Sequence, residues 1–95
     1  MNEREAYEQK FKAKIDEWRA EIDKLRARAE QADADARIAY KKQIDELREM
    51  QDDAIRRLGE LRRASDDAWE DIRRGMDSSW ESFNAALKSA WSRFT

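Results

Sequence analysis

The sequence predicts an all-α protein, a long amphipathic helix or coiled coil in which heptads mix with eleven-residue repeats. Three observations carry this. Charged residues make up 44 % of the 95 residues, 20 basic against 22 acidic, with two glycines and no proline; few helix breakers in a highly charged chain is the composition of long helices. An apolar stripe then runs almost the whole length of the chain in steps of three or four. Finally, Trp69, Trp80 and Trp91 recur every 11 residues, each followed three places on by Ile72, Phe83 or Phe94. Eleven residues make nearly three helical turns, which sets these side chains close to one stripe.

Taken from the N-terminus, Asn2 is a good N-cap, Glu5 completes the spacing of a capping box, and Glu3 suits the positive end of the helix dipole. The stripe follows as Tyr7, Phe11, Ile15, Trp18, Ile22, Leu25, Ala29, Ala32, Ala36, Tyr40, Ile44 and Leu47. It continues as Gln51, Ala54, Leu58, Leu61, Ser65, Ala68 or Trp69, Ile72, Met76, Trp80, Phe83, Leu87, Trp91 and Phe94. The mean step is about 3.6 residues, the pitch of the α-helix itself. A single helix of ~90 residues would be a nearly straight rod of roughly 135 Å. The pentapeptides at 15–19 and 44–48, Ile-Asp-Glu-Trp-Arg and Ile-Asp-Glu-Leu-Arg, are nearly the same.

Two places invite a break. Gln31 to Asp35 could turn between antiparallel helices, but it has neither glycine nor proline and two of its residues are alanine, the best helix former. Gly59 to Asp67 is the stronger candidate for a bend. Arg62 and Arg63 suit a helix C-terminus, Ser65 an N-cap, and Asp66 and Asp67 a first turn. The stripe nevertheless crosses both places in phase. The organisation expected is therefore a charged coiled-coil helix over 1–64 and a Trp-rich amphipathic helix over 65–95, continuous with the first or hinged near 59–67. The alternative is an antiparallel helical hairpin or a three-helix bundle, broken near 31–35 and 62–66.

Opposite the stripe, acid precedes base by four at Glu8–Lys12, Asp33–Arg37, Asp52–Arg56, Asp53–Arg57 and Glu70–Arg74. It precedes by three at Asp16–Arg19, Asp23–Arg26, Asp45–Arg48, Glu60–Arg63 and Asp71–Arg74. Such pairs contribute only ~0.2–0.5 kcal/mol each, but together they favour helix and keep the face soluble.

The chain contains neither cysteine nor histidine, which removes disulfides, thiolate nucleophiles, the usual zinc ligands and the commonest general base. Carboxylates beside Lys and Arg on a helix surface keep ordinary acidity, and no glycine-rich phosphate loop is present. Catalysis, cofactors, metals and a small-molecule substrate are not expected. Arg56, Arg63 and Arg74 share one face, but Asp52, Glu60, Asp67, Glu70 and Asp71 neutralise it, so no nucleic-acid partner is expected either. With a mean hydropathy of −1.15, no run of ~18 apolar residues and an N-terminus unlike a signal peptide, the expected location is cytoplasmic.

Two functional readings remain. In the first, the stripe is an interface, making a homo-oligomer or binding a protein partner. Its residues are Phe11, Ile15, Trp18, Ile22, Leu25, Ile44, Leu47, Leu58, Leu61, Trp69, Ile72, Met76, Trp80, Phe83, Leu87, Trp91 and Phe94. In the second, the C-terminal amphipathic helix lies peripherally on a membrane surface. Residues 78–95 carry only Glu81, Lys88 and Arg93 as charges, which pairs apolar insertion with little electrostatic attraction.

Ala68-Trp69-Glu70-Asp71-Ile72, then Trp80-x-x-Phe83, after a charged heptad region ending Glu60-Leu61-Arg62-Arg63-Ala64-Ser65, resembles a family of short, uncharacterised bacterial coiled-coil proteins. Some of its members are labelled stress-response proteins. The resemblance covers most of the chain and implies a helical interaction protein without catalytic residues. The eleven-residue repeat is also similar in style to the lipid-binding repeats of exchangeable apolipoproteins.

Overall fold

The computed structural model describes residues 2–94 of the chain, and the side chains of residues 2–93; the interface expected at Phe94 therefore lies outside the described side chains. Three helices follow one another: α1 (Glu3–Glu30), α2 (Ala34–Arg63) and α3 (Trp69–Phe94). At ~1.5 Å per residue each is about 40–45 Å long, which accounts for the long dimension of a body measuring 50 × 20 × 18 Å. The all-α class holds, and of its two architectures the chain adopts the three-helix bundle. The continuous rod of roughly 135 Å is overturned, and with it the reading of 1–64 as one uninterrupted helix. An exposed stripe explains why. Two breaks forfeit a few backbone hydrogen bonds, each worth ~1 kcal/mol net. Folding back twice buries a stripe of large side chains, each stabilising by ~1.5–3 kcal/mol.

The helix ends follow local chemistry. Asn2 Oδ1 accepts a hydrogen bond from the Glu5 amide at 2.8 Å, and Asp33 Oδ1 accepts from the Ala36 amide at 2.9 Å. The first turn is built from Gln31, Ala32 and Asp33 with no glycine, and no described residue, glycine included, has a positive φ. What ends α1 is thus the Asp33 cap: a short polar side chain that satisfies the α2 N-terminus outweighs the helical preference of its alanine neighbours. The second break falls at Ala64–Ala68, where Ser65 Oγ accepts from the Ala68 amide at 3.3 Å and the Ser65 carbonyl from the Trp69 amide at 3.1 Å. It is a full interruption rather than a bend, and Gly59 lies inside α2 rather than at the break.

The stripe becomes the interior. Phe11, Ile15, Trp18, Ile22, Leu25 and Ala29 of α1 pack against Tyr40, Ile44, Leu47, Ala54, Leu58 and Leu61 of α2 and Met76, Phe83 and Ala90 of α3. Gln51, the one polar member in the middle of the stripe, is also buried and donates its Nε2 hydrogen to the Ile15 carbonyl at 3.3 Å. Of the charge ladder, Asp53–Arg57 (2.8 Å) and Asp71–Arg74 (3.6 Å) form, and Arg56 turns to Asp53. Glu8 faces Arg4, one turn back on α1, and Arg62 of α2, both at 4.0 Å, in place of the Glu8–Lys12 pair.

Candidate functional site: the aromatic strip between α1 and α3

The fully buried line of α3 is a heptad, Met76, Phe83 and Ala90, each with no exposed surface. This corrects the eleven-residue stripe. At 100° per residue, Trp80 stands about 50° and Trp91 about 100° to one side of that line, and Gly75, Ser79, Ser82 and Ala86 about 50–100° to the other. The two flanks meet different neighbours. The small flank faces α2, where Gly75, Ser79 and Ser82 border a shallow groove with Glu46, Met50, Asp53 and Arg57. The aromatic flank faces α1. Accordingly α2 packs closely against both other helices, whereas α1 and α3 meet largely through large side chains.

Pairings along the α1/α3 contact rise together from one end, so the two helices run parallel. Near the start, the Tyr7 hydroxyl donates to Asp77 Oδ1 at 2.6 Å, and Arg73 lies 3.8 Å from Glu3. Burial and the neighbouring Asp77 carboxylate push the Tyr7 hydroxyl above the ordinary tyrosine range. Arg4 donates to the Leu61 carbonyl and lies 3.8 Å from Asp66, clasping the second turn to the start of α1.

Further along comes the aromatic centre. Trp18 stacks on Phe83, with centroids 4.1 Å apart, and on Trp80 at 4.9 Å. Phe11 meets its edge at 5.9 Å and itself stacks on Tyr7 at 6.0 Å. The buried indole N–H of Trp18 finds no acceptor, a cost of ~1–3 kcal/mol that stacking and burial must offset.

The three tryptophans of α3 are partly buried, packed on the core with one part and open along the other. Each has a cation over its ring: Lys14 over Trp80 at 4.0 Å, Arg28 over Trp91 at 5.1 Å and Arg73 over Trp69 at 5.7 Å. Side chains from α1 and, at Trp69, from α3 itself thus cover the edge of the aromatic flank, where a cation over an indole is stabilising by ~0.5–1 kcal/mol.

Of the residues expected at an interface, Phe11, Ile15, Trp18, Ile22, Leu25, Ile44, Leu47, Leu58, Leu61, Met76 and Phe83 are interior to this chain. Trp69, Ile72, Trp80, Leu87 and Trp91 sit at the rim. The strip also uses Tyr7, the first residue of the stripe, and Asp77, Lys14 and Arg28, which carry no signal in sequence because their partners lie more than sixty residues away. Ala90 was legible only as the next heptad step after Phe83. Among the described residues, no cluster of three or more acidic side chains is placed to hold a metal ion, and no helix is long and apolar enough to cross a membrane. Compared with family models, curated proteins and solved structures, the chain matches none of them.

Proposed function

We propose that this chain is a non-enzymatic interaction protein that binds a protein partner through the aromatic strip along α1 and α3. The observation carrying the reading is the half-covered state of Trp80 and Trp91, each beneath a cationic side chain from α1. Trp, Tyr and Arg are the side chains that dominate binding energy at protein interfaces, and a Lys or Arg lying over a ring is readily displaced by a partner's apolar side chain. The rest of the surface, thick with paired charges, favours solubility over contact.

A second reading is supported by the distribution of polar ties. Ties from α3 and the turn before it to α1 include those at Asp66, Arg73 and Asp77, and the weakly charged segment 78–93 meets α1 through apolar and cation–ring contacts. Such a helix is suited to a membrane surface if its C-terminal half lifts away.

One experiment tests both. A photo-crosslinking side chain placed at Lys88 or Ser92, beside the strip, should give a discrete protein adduct in the source cells, and one at Lys42 should not. Equal labelling from all three positions would refute the strip. A blue shift of tryptophan emission on adding anionic or neutral vesicles, with no protein adduct, would replace the first reading by the second.

A further inference from the structure

The first turn has a property that its role in the bundle does not require. A hairpin may join two helices in any phase, yet the stripe runs through Gln31–Asp33 without losing step: Leu25, Ala29, Ala32, Ala36 and Tyr40 advance by four, three, four and four. Of the two turn residues that flank Ala32, one is helical and the other leaves helix through a single dihedral. Gln31 lies at φ −92°, ψ −7°, already in the right-handed helical region, and Asp33 at φ −69°, ψ 173° departs from helix in ψ alone. The turn contains neither glycine nor proline. Its closed form is held by the Asp33 cap on Ala36 (2.9 Å) and by Arg37, whose Nη2 donates to the Ala32 carbonyl at 3.2 Å. The second turn is different. It spans five residues and is clasped by Arg4 through Asp66 and the Leu61 carbonyl.

We infer that the first turn straightens, making α1 and α2 one helix, and that two copies of this chain then exchange α1. The partner is a second copy because its groove between α2 and α3 matches α1 in every contact the closed chain already makes, from Phe11 and Trp18 to Leu25. A straightened helix with its stripe in continuous phase presents α1 and α2 on one face, so two such helices laid antiparallel rebuild both bundles end to end. The product is a dimer about 100 Å long, twice the 50 Å of the closed chain. This inference stands apart from the aromatic strip, which both forms retain.

Two substitutions push the equilibrium in opposite directions. Ala34→Pro fits the closed form: Ala34 is the exposed first residue of α2, and Asp33 before it already has the extended ψ that proline demands of its predecessor. In a continuous helix the same proline removes a hydrogen bond and clashes with the preceding turn. Asp33→Ala removes the cap from the closed form of both chains and should tighten dimerisation by roughly tenfold to a hundredfold.

Full-length chains would be concentrated over about three decades, or refolded at the highest concentration, and mass and shape followed by sedimentation and scattering. The wild type should pass from monomer to an elongated dimer, Asp33→Ala should do so at lower concentration, and Ala34→Pro should stay monomeric with unchanged helicity. A chain with a flexible Gly-Ser insert after Ala32 should behave as Ala34→Pro does, which keeps the test decisive should the proline variant misfold. Dimers of Ala34→Pro or of the insert variant as tight as the wild type's would overturn the inference, as would wild type and Asp33→Ala that stay monomeric throughout.

Discussion

The two sides of α3 solve the same packing problem with opposite materials. Toward α2 it presents Gly75, Ser79 and Ser82, and the helices approach closely. Toward α1 it presents Trp80, with Trp18 and Phe83 stacked between the helices. Close backbones bury little area per side chain and here leave a shallow groove along their edge. Rings hold the backbones apart, bury far more area per residue and leave edges that need a cover. Lys14 and Arg28 are that cover. The aromatic side of the bundle thus holds its stacked rings and also has partly buried surface left to offer.

The largest effect should come from breaking the interior that both sides share. Leu25→Asp or Leu61→Asp, at positions with no exposed surface, should unfold the bundle, because a buried unpaired carboxylate has no compensating partner. Lys42→Asp, on an exposed position, should leave circular dichroism melts nearly unchanged. Next comes the aromatic side alone. Trp18→Ala should destabilise by ~3–5 kcal/mol in urea unfolding, whereas Trp18→Phe should cost far less, since the N–H that lacks an acceptor leaves with the indole.

A smaller test contrasts two glycines. Gly59→Ala should stabilise by ~1 kcal/mol, because a Cβ there meets only the Arg63 guanidinium at 3.6 Å. Gly75→Ala, on the small flank, should gain less. Its Cβ would come within 2.7 Å of Arg57 Nη1, and moving that side chain weakens its ion pair with Asp53. The smallest effect is one of pH on the aromatic side. Tyr7 has its hydroxyl raised above the free value of 10.0 by burial and Asp77. Its contribution is therefore complete below about pH 10 and is lost as pH rises through the raised value. Tyr7→Phe should flatten the alkaline limb of the stability–pH profile and leave the profile at neutral pH and below little changed in shape.

Much of this was legible in the sequence, and for a definite reason. Helical phase is local, so each α1 and α2 position from Phe11 to Leu61 that proved buried had already been placed on the stripe, Gln51 included. The class of fold followed from the same period. The breaks were not settled by it, since Gln31 to Asp33 is made of residues that also suit a continuous helix, and only burial of the stripe decides that Asp33 caps rather than continues. In α3 Met76 and Phe83 stand on the stripe read from sequence, but Ala90 does not, because bulky rings mark a sequence more strongly than a small buried alanine. The strip's cations were beyond reach. Nothing near Lys14 or Arg28 in sequence points to Trp80 or Trp91.

The central claim is that the stripe closes on itself within one chain. X-ray scattering with absolute mass calibration, on dilute protein, tests this most directly. The account predicts monomer mass, a radius of gyration close to the 15.4 Å of the Cα trace and a longest dimension near 50 Å. A dilute species extending beyond about 100 Å, toward the roughly 135 Å of an unbroken helix, would contradict it.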